Sequence, residues 1–223
     1  MGSLPAAVLP LALGAAVSPT LLALQLIVLS GTTHRLARAW ALAAGSAVVL
    51  AAFSLLCVTA LSRVRPAHGH KSATDAAVLI ASGLLLGALA VRSRIRRPTV
   101  GERHTSRISE RLTTAPTSWF VGVGAVGMVV NFSTLLLVLP AVHEIAHSTA
   151  DATAKVTTFV VLYTIVLLPV LVPVGLAQVL GARADHALDA THRWVGRNAR
   201  TIGTVIEAAF AVYLVVKGVR SAP

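Results

Sequence analysis

The chain has 223 residues, of which 56% are hydrophobic and 12% charged, and its mean hydropathy is +0.80. That composition excludes an ordinary water-soluble domain and points to an integral membrane protein. The formal charge of +11 reads as membrane topology, not nucleic-acid binding, because no aromatic residues interleave with the basic runs.

Six apolar stretches stand out, at about residues 5–29, 37–62, 73–92, 118–142, 156–180 and 201–218. Each approaches or exceeds the ~20 residues that a helix needs to cross a bilayer. The first has no basic leader, is long and is interrupted by polar residues, so it reads as a retained span, not a signal peptide. Its interruption is Ser18-Pro19-Thr20, followed by Leu21-Leu22, with Gln25 a turn further on. Pro19 removes a helix hydrogen bond and crowds the carbonyl of Ala15. The second span holds the single cysteine, Cys57. A membrane thiol–disulfide carrier needs two cysteines within the membrane and is therefore excluded. Ser72 and Asp75 form a capping-box pattern at the outer start of the third span. That span ends in Arg92, Arg94, Arg96 and Arg97, which open a basic segment reaching Thr117. The segment reads as a solvated loop; the sharper reading is a patch that holds anionic lipid headgroups.

The fourth span carries Asn131-Phe132-Ser133-Thr134, followed by Leu135-Leu136, at the same depth as the first interruption. Polar groups at that depth are costly unless they face protein or a water-filled cavity. Asn131 has donors and an acceptor to satisfy and is the most informative polar residue of the set. Past it, His143-Glu144-Ile145-Ala146-His147 matches the H-E-x-x-H zinc pattern. An intramembrane zinc enzyme needs a third ligand from another span, and the nearest acid, Asp151, is loosely placed. The motif is therefore expected to be a polar helix end, with His143 and His147 secondary candidates for a metal. The fifth span carries Pro169 and Pro173, read as a kink or hinge, with Tyr163 and Thr164 just before them. Between the fifth and sixth spans, Ala184, Leu188, Thr191, Trp194 and Val195 recur at helical spacing, and Asp189 and Arg193 can pair. Arg183 to Arg200 is thus expected to be a short amphipathic helix at the interface, anchored by Trp194. Glu207 lies in the sixth span and is a candidate carrier of a coupling proton; otherwise it pairs with Arg197 or Arg200. No G-x-x-x-x-G-K-[ST] is present, which excludes ATP hydrolysis by that route.

The loops after the first, third and fifth spans hold 13 of the 19 Lys and Arg residues. The positive-inside rule then places both termini outside and the basic loop inside. The chain divides into residues 1–112, a three-helix repeat with the basic cytoplasmic loop, and residues 113–223, a second three-helix repeat. Three spans per half make the second half enter the membrane in the opposite sense, as an inverted repeat. Pro19-Thr20-Leu21-Leu22 lines up with Ser133-Thr134-Leu135-Leu136. Paired interrupted spans point to a transporter with its site at the repeat interface.

Over nearly its whole length the chain resembles the GAP/Sap family of actinobacterial membrane proteins, within the LysE-like transporter superfamily. The resemblance rests on Ser18-Pro19, on Trp119-Phe120-Val121-Gly122 leading into Asn131, and on Leu168-Pro169 with Pro173. It also rests on Trp194, Arg197, Asn198, Arg200 and Ile202, with Leu214 and Gly218 closing the last span. Glu207 and His143-Glu144 depart from the family pattern. The resemblance implies export, or help in export, of a large cell-envelope lipid, often beside a separate lipid-transporting permease.

The expected protein is an all-α, six-span, multi-pass protein of the inner (plasma) membrane. It is expected to export a cell-envelope lipid or glycolipid and to use no cofactor and no catalysis. Ser18, Pro19, Thr20, Gln25, Asn131, Ser133, Thr134, Tyr163, Pro169 and Pro173 are expected to line the pathway. Membrane lipids are expected partners, with a larger permease or a second copy of the chain as further ones, and nucleic acid is not. The alternatives are a small-solute exporter of amino acids or cations, a membrane zinc hydrolase built on His143, Glu144 and His147, and a non-transporting assembly partner.

Overall fold

A computed structural model describes residues 4–31, 33–63, 71–95 and 115–221. Among these the secondary structure is helical, with no strand. That is the outcome apolar sequence dictates in lipid, where a helix satisfies its own backbone groups. In chain order the helices are α1 (Leu4–Ala16), α2 (Pro19–Leu29), α3 (Arg35–Arg63) and α4 (Lys71–Ile95). They continue as α5 (Thr117–Val130), α6 (Phe132–His147), α7 (Ala152–Leu180) and α8 (Ala182–Ser221).

The first and fourth expected spans are each two helices meeting at an angle. α1 and α2 bend by 55° at their break, and α5 and α6 by 73°. At the first break, Ser18 adopts φ −116° and ψ 93° and Pro19 is the first residue of α2. A residue before proline is pushed out of the helical region, and proline is at home in the first turn, so both halves of the break follow from Ser-Pro. The second break has no proline. Asn131 sits at φ −77° and ψ 59°, close to the inverse γ-turn minimum, and joins the end of α5 to the start of α6. The breaks thus align Ser18 with Asn131, which shifts the expected pairing of the halves by one residue.

Among the described residues, α3 over Arg35–Ala60, α7 and the Thr201–Arg220 part of α8 are long and apolar enough to cross a membrane. Counting each bent pair as one span gives five. The sixth expected span falls in α4, whose apolar part, Ala77–Arg92, is shorter. The amphipathic stretch Arg183–Arg200 is not a separate interfacial helix, as the periodicity suggested. It is the first half of the 40-residue α8, which runs on into the last span. Only Gly181, at φ 55°, separates α7 from α8. Leu188 and Val195 of this half are buried, whereas Thr191 and Trp194 are exposed. Ser72 and Asp75 lie inside α4, which already begins at Lys71. The basic residues from Arg96 to Arg111, like the side chains of Asp75 and Asp189, lie outside the described residues.

α4 packs most extensively on α8, and α3 on α5. The α3–α5 seam is backbone on backbone. A Cβ on Gly45 would fall onto the Val121 carbonyl, and one on Gly124 would fall onto the Leu42 carbonyl. Ser46 Oγ lies 3.1 Å from Leu42 O and 3.2 Å from Gly124 O in the same seam. Small residues that let helix backbones approach this closely are the usual means of association in lipid. Arg38 caps the seam, with Nη2 donating to Ala115 O at 2.9 Å and its guanidinium 5.2 Å from the Phe120 ring centre. In the α4–α8 pair, a Cβ on Gly83 would meet Val215 and Leu214, and one on Gly87 would meet Ala211, so these helices run antiparallel.

Candidate functional site

The two breaks meet. Asn131 Nδ2 donates to Ser18 Oγ at 2.8 Å and to Thr134 Oγ1 at 2.6 Å. Thr134 Oγ1 in turn donates to Ala15 O at 3.1 Å, a carbonyl in the last turn of α1. Ser18 Oγ also accepts the Leu21 amide at 3.3 Å as the N-cap of α2. Four polar groups that the breaks release are therefore satisfied by one another and not by lipid. Ser18 and Thr134 are buried, with 4% and 3% of their surface exposed.

In front of this network lies a cavity of about 380 Å³. Its walls come from both breaks and from α4 and α8. Pro19, Thr20 and Ala23 line it from α2, and Ser133, Thr134 and Leu137 from α6. Asn131 lies between them, and Ser18 sits behind it as its hydrogen-bond partner. The N-terminal ends of α2 and α6 thus both open onto the cavity. Each end carries amide groups with no acceptor inside its own helix, and the partial positive charge of the helix dipole. Glu207, half-buried on α8, closes the opposite wall. Its Oε1 accepts a hydrogen bond from Ser133 Oγ.

Seven of the residues singled out in the sequence gather here: Ser18, Pro19, Thr20, Asn131, Ser133, Thr134 and Glu207. The remaining four do not. Gln25 is fully buried and turns to α3, its Nε2 donating to Ala39 O at 3.3 Å, while its Oε1 has no partner. Tyr163 packs edge-on against Phe159 at 6.0 Å between ring centres. Pro169 and Pro173 are absorbed within the continuous α7, and none of these four lines the cavity. Thr164 faces outward and bonds back to Val160 O at 2.8 Å.

The wall formed by α4 and α8 was missed. Leu89, Ala199, Gly203, Thr204 and Ile206 also line the cavity. The signal was present as Ala199, Gly203 and Glu207, four apart, which places small residues on the face that carries the carboxylate. Gly14 lines the α1 side, and a Cβ there would collide with the ring of Phe210, one turn beyond Glu207.

The H-E-x-x-H residues lie elsewhere, toward the end of α6. His143 is buried and meets His147 edge to face, with ring centres 4.4 Å apart. Glu144 pairs with Lys217 of α8 at 3.5 Å. Among the described residues no group of three His, Cys, Asp or Glu side chains is gathered where it could hold a metal ion.

No curated protein and no solved structure matches the chain. One family model does, over residues 8–220, from α1 to the last turn of α8. The bent helices, the cavity between them and the α8 wall all fall within that match, and the chain belongs to the family described as Sap, sulfolipid-1-addressing protein.

Proposed function

We propose that this chain moves, or helps to move, a lipid or glycolipid of the cell envelope outward across the plasma membrane. The observation that carries the reading is the Asn131–Ser18 contact. It holds two broken helices together at one cavity, with the first turns of both half-helices facing the space. Discontinuous helices of this kind form the binding sites of many transporters. The family description, with its sulfolipid, agrees with this chemistry. At about 380 Å³ the cavity is of small-molecule size, suited to a polar headgroup, with acyl chains left in the bilayer.

The proposal includes an inverted repeat of two three-span halves, residues 1–112 and 113–223, with both termini outside, as elsewhere in the LysE-like superfamily. The packing supports it. α1 lies on α7 as α5 lies on α3, and α2 lies on α7 and α8 as α6 lies on α3 and α4. α3 and α7 meet as counterparts, and so do α4 and α8. The reading has the chain perform no chemical step and use no cofactor; Glu144, the base a zinc hydrolase would need, is instead paired with Lys217. A larger lipid-exporting permease or a second copy of the chain completes the proposed partners, in an actinobacterial envelope.

The cavity volume also suits a small polar solute, which keeps an amino acid or cation exporter as the second reading. The test is mass spectrometry of lipids that co-purify with the protein, beside transport in proteoliposomes. A polar envelope lipid retained by the wild type and lost in Asn131→Leu is expected. Amino acid counterflow with no retained lipid would overturn the lipid reading.

A further inference from the structure

Glu207 gives the cavity an unusual charge balance. Among the described residues that line it, Glu207 is the one ionisable group, and no lysine, arginine or histidine joins it. Other titratable groups lie on the elements around the cavity. α1 and α2 hold no titratable side chain, α4 carries Arg92 and Arg94 at one end and Lys71 and Asp75 at the other, and α7 carries Lys155 and Tyr163. α6 contributes His143, Glu144 and His147, and the part of α8 around Glu207 carries Arg197, Arg200, Tyr213 and Lys217, none of them among the described residues that line the cavity. The positive field inside comes from the first turns of α2 and α6, and Glu207 is already bonded at the second of these, through Ser133.

We propose that the cavity takes the anionic end of an amphiphile only together with a proton, and that Glu207 carries that proton. This rests on the transport reading above. An incoming sulfate or phosphate ester would compete with the carboxylate for the same hydroxyl and helix ends. Two negative charges in one small cavity, with no basic side chain among the described residues that line it, repel strongly, so one must be neutralised. Protonation does this at Glu207: the carboxylate gains a proton from water, no other bond changes, and Ser133 Oγ is released to donate to the newcomer. Bound anion and bound proton then form a pair with no net charge, which removes the repulsion inside the cavity.

The experiment uses the full chain in nanodiscs of neutral lipid, with decyl sulfate as the probe. Calorimetry in two buffers of different ionisation heat, from pH 5 to pH 9, counts protons taken up on binding. We expect wild-type binding to take up a proton and to weaken by about tenfold per pH unit as pH rises. Glu207→Gln, neutral at every pH, should bind the probe without proton uptake and without pH dependence. Wild-type binding with no proton uptake, or a monodisperse Glu207→Gln that no longer binds, would overturn the proposal. So would uptake that persists in Glu207→Gln. Inorganic sulfate bound with the same uptake would support it and assign the site to a free anion. Binding of neutral decyl maltoside with none of decyl sulfate at any pH would overturn the anion–proton pair while leaving lipid transport standing. Proton-coupled anion binding with no lipid movement in proteoliposomes would support the pair and sink the lipid reading instead.

Discussion

Asn131 and Ser18 are 113 positions apart in the chain, yet the amide of one donates to the hydroxyl of the other at 2.8 Å. The contact joins the two bends and supports the cavity from behind. Replacing Asn131 by Leu removes both of its side-chain bonds but puts an apolar residue where lipid-side packing accepts one. Each hydrogen bond within a membrane protein contributes on the order of 0.6 kcal/mol. The variant is therefore expected to fold, with a melting temperature lowered by a few degrees, and to lose transport by at least about tenfold. Normal transport in proteoliposomes by Asn131→Leu would show that the cavity is not the pathway.

Gln25 offers a contrast. It is polar, lies about two helix turns from the break, and yet faces α3. Gln25→Leu removes one bond to Ala39 O and an unpartnered buried oxygen together, so the net change in stability should stay within about 1 kcal/mol. Transport should be unchanged. A loss as deep as that of Asn131→Leu would extend the pathway to the α2–α3 side.

The zinc pattern is open to direct test. Glu144→Gln removes the base that a zinc hydrolase would need and breaks an ion pair whose two side chains are 31% and 40% exposed. Exposed pairs contribute little, about 0–1 kcal/mol. Combined with His147→Ala, the change should leave transport intact, and a chelator should have no effect. Activity abolished by the chelator and restored by zinc would contradict the proposed function.

Topology is tested in a Cys57→Ala background. A cysteine at Arg103 should be shielded from an impermeant thiol reagent applied outside, and one at Thr149 should react. The reverse labelling pattern would invert every inside and outside assignment made from the basic loops.

Much of this arrangement was legible in the chain. Ser-Pro in an apolar run announces a broken helix, because proline dictates the geometry of its neighbour. Asn131 announced a polar need at the same depth, though not the bend itself: an unaided backbone turn leaves no residue-type signature. The α8 wall was harder to read. Gly203 and Thr204 are ordinary residues of a membrane helix, and only a second helix facing them turns them into a surface. Periodicity did find the apolar face of Arg183–Arg200, where Leu188 and Val195 are buried. It could not show whether that helix stops or continues, because no proline marks the join to the last span, and Gly196 and Gly203, which flank it, are carried through within the helix. Gln25 misled because depth along the chain was taken for direction: a turn of helix carries a side chain to any side of the bundle.

Gly45 and Gly124 leave α3 and α5 with main chain resting on main chain. Side chains that pack can find second rotamers; two backbones in contact have none. Gly45→Ala should consequently cost about 1–3 kcal/mol, read as a fall in thermal midpoint. The same stiffness divides labour within the bundle. α3 and α5 must travel as one strut, so any opening that admits a large guest has to come from the joints at Ser18 and Asn131, or from α8 sliding along α4.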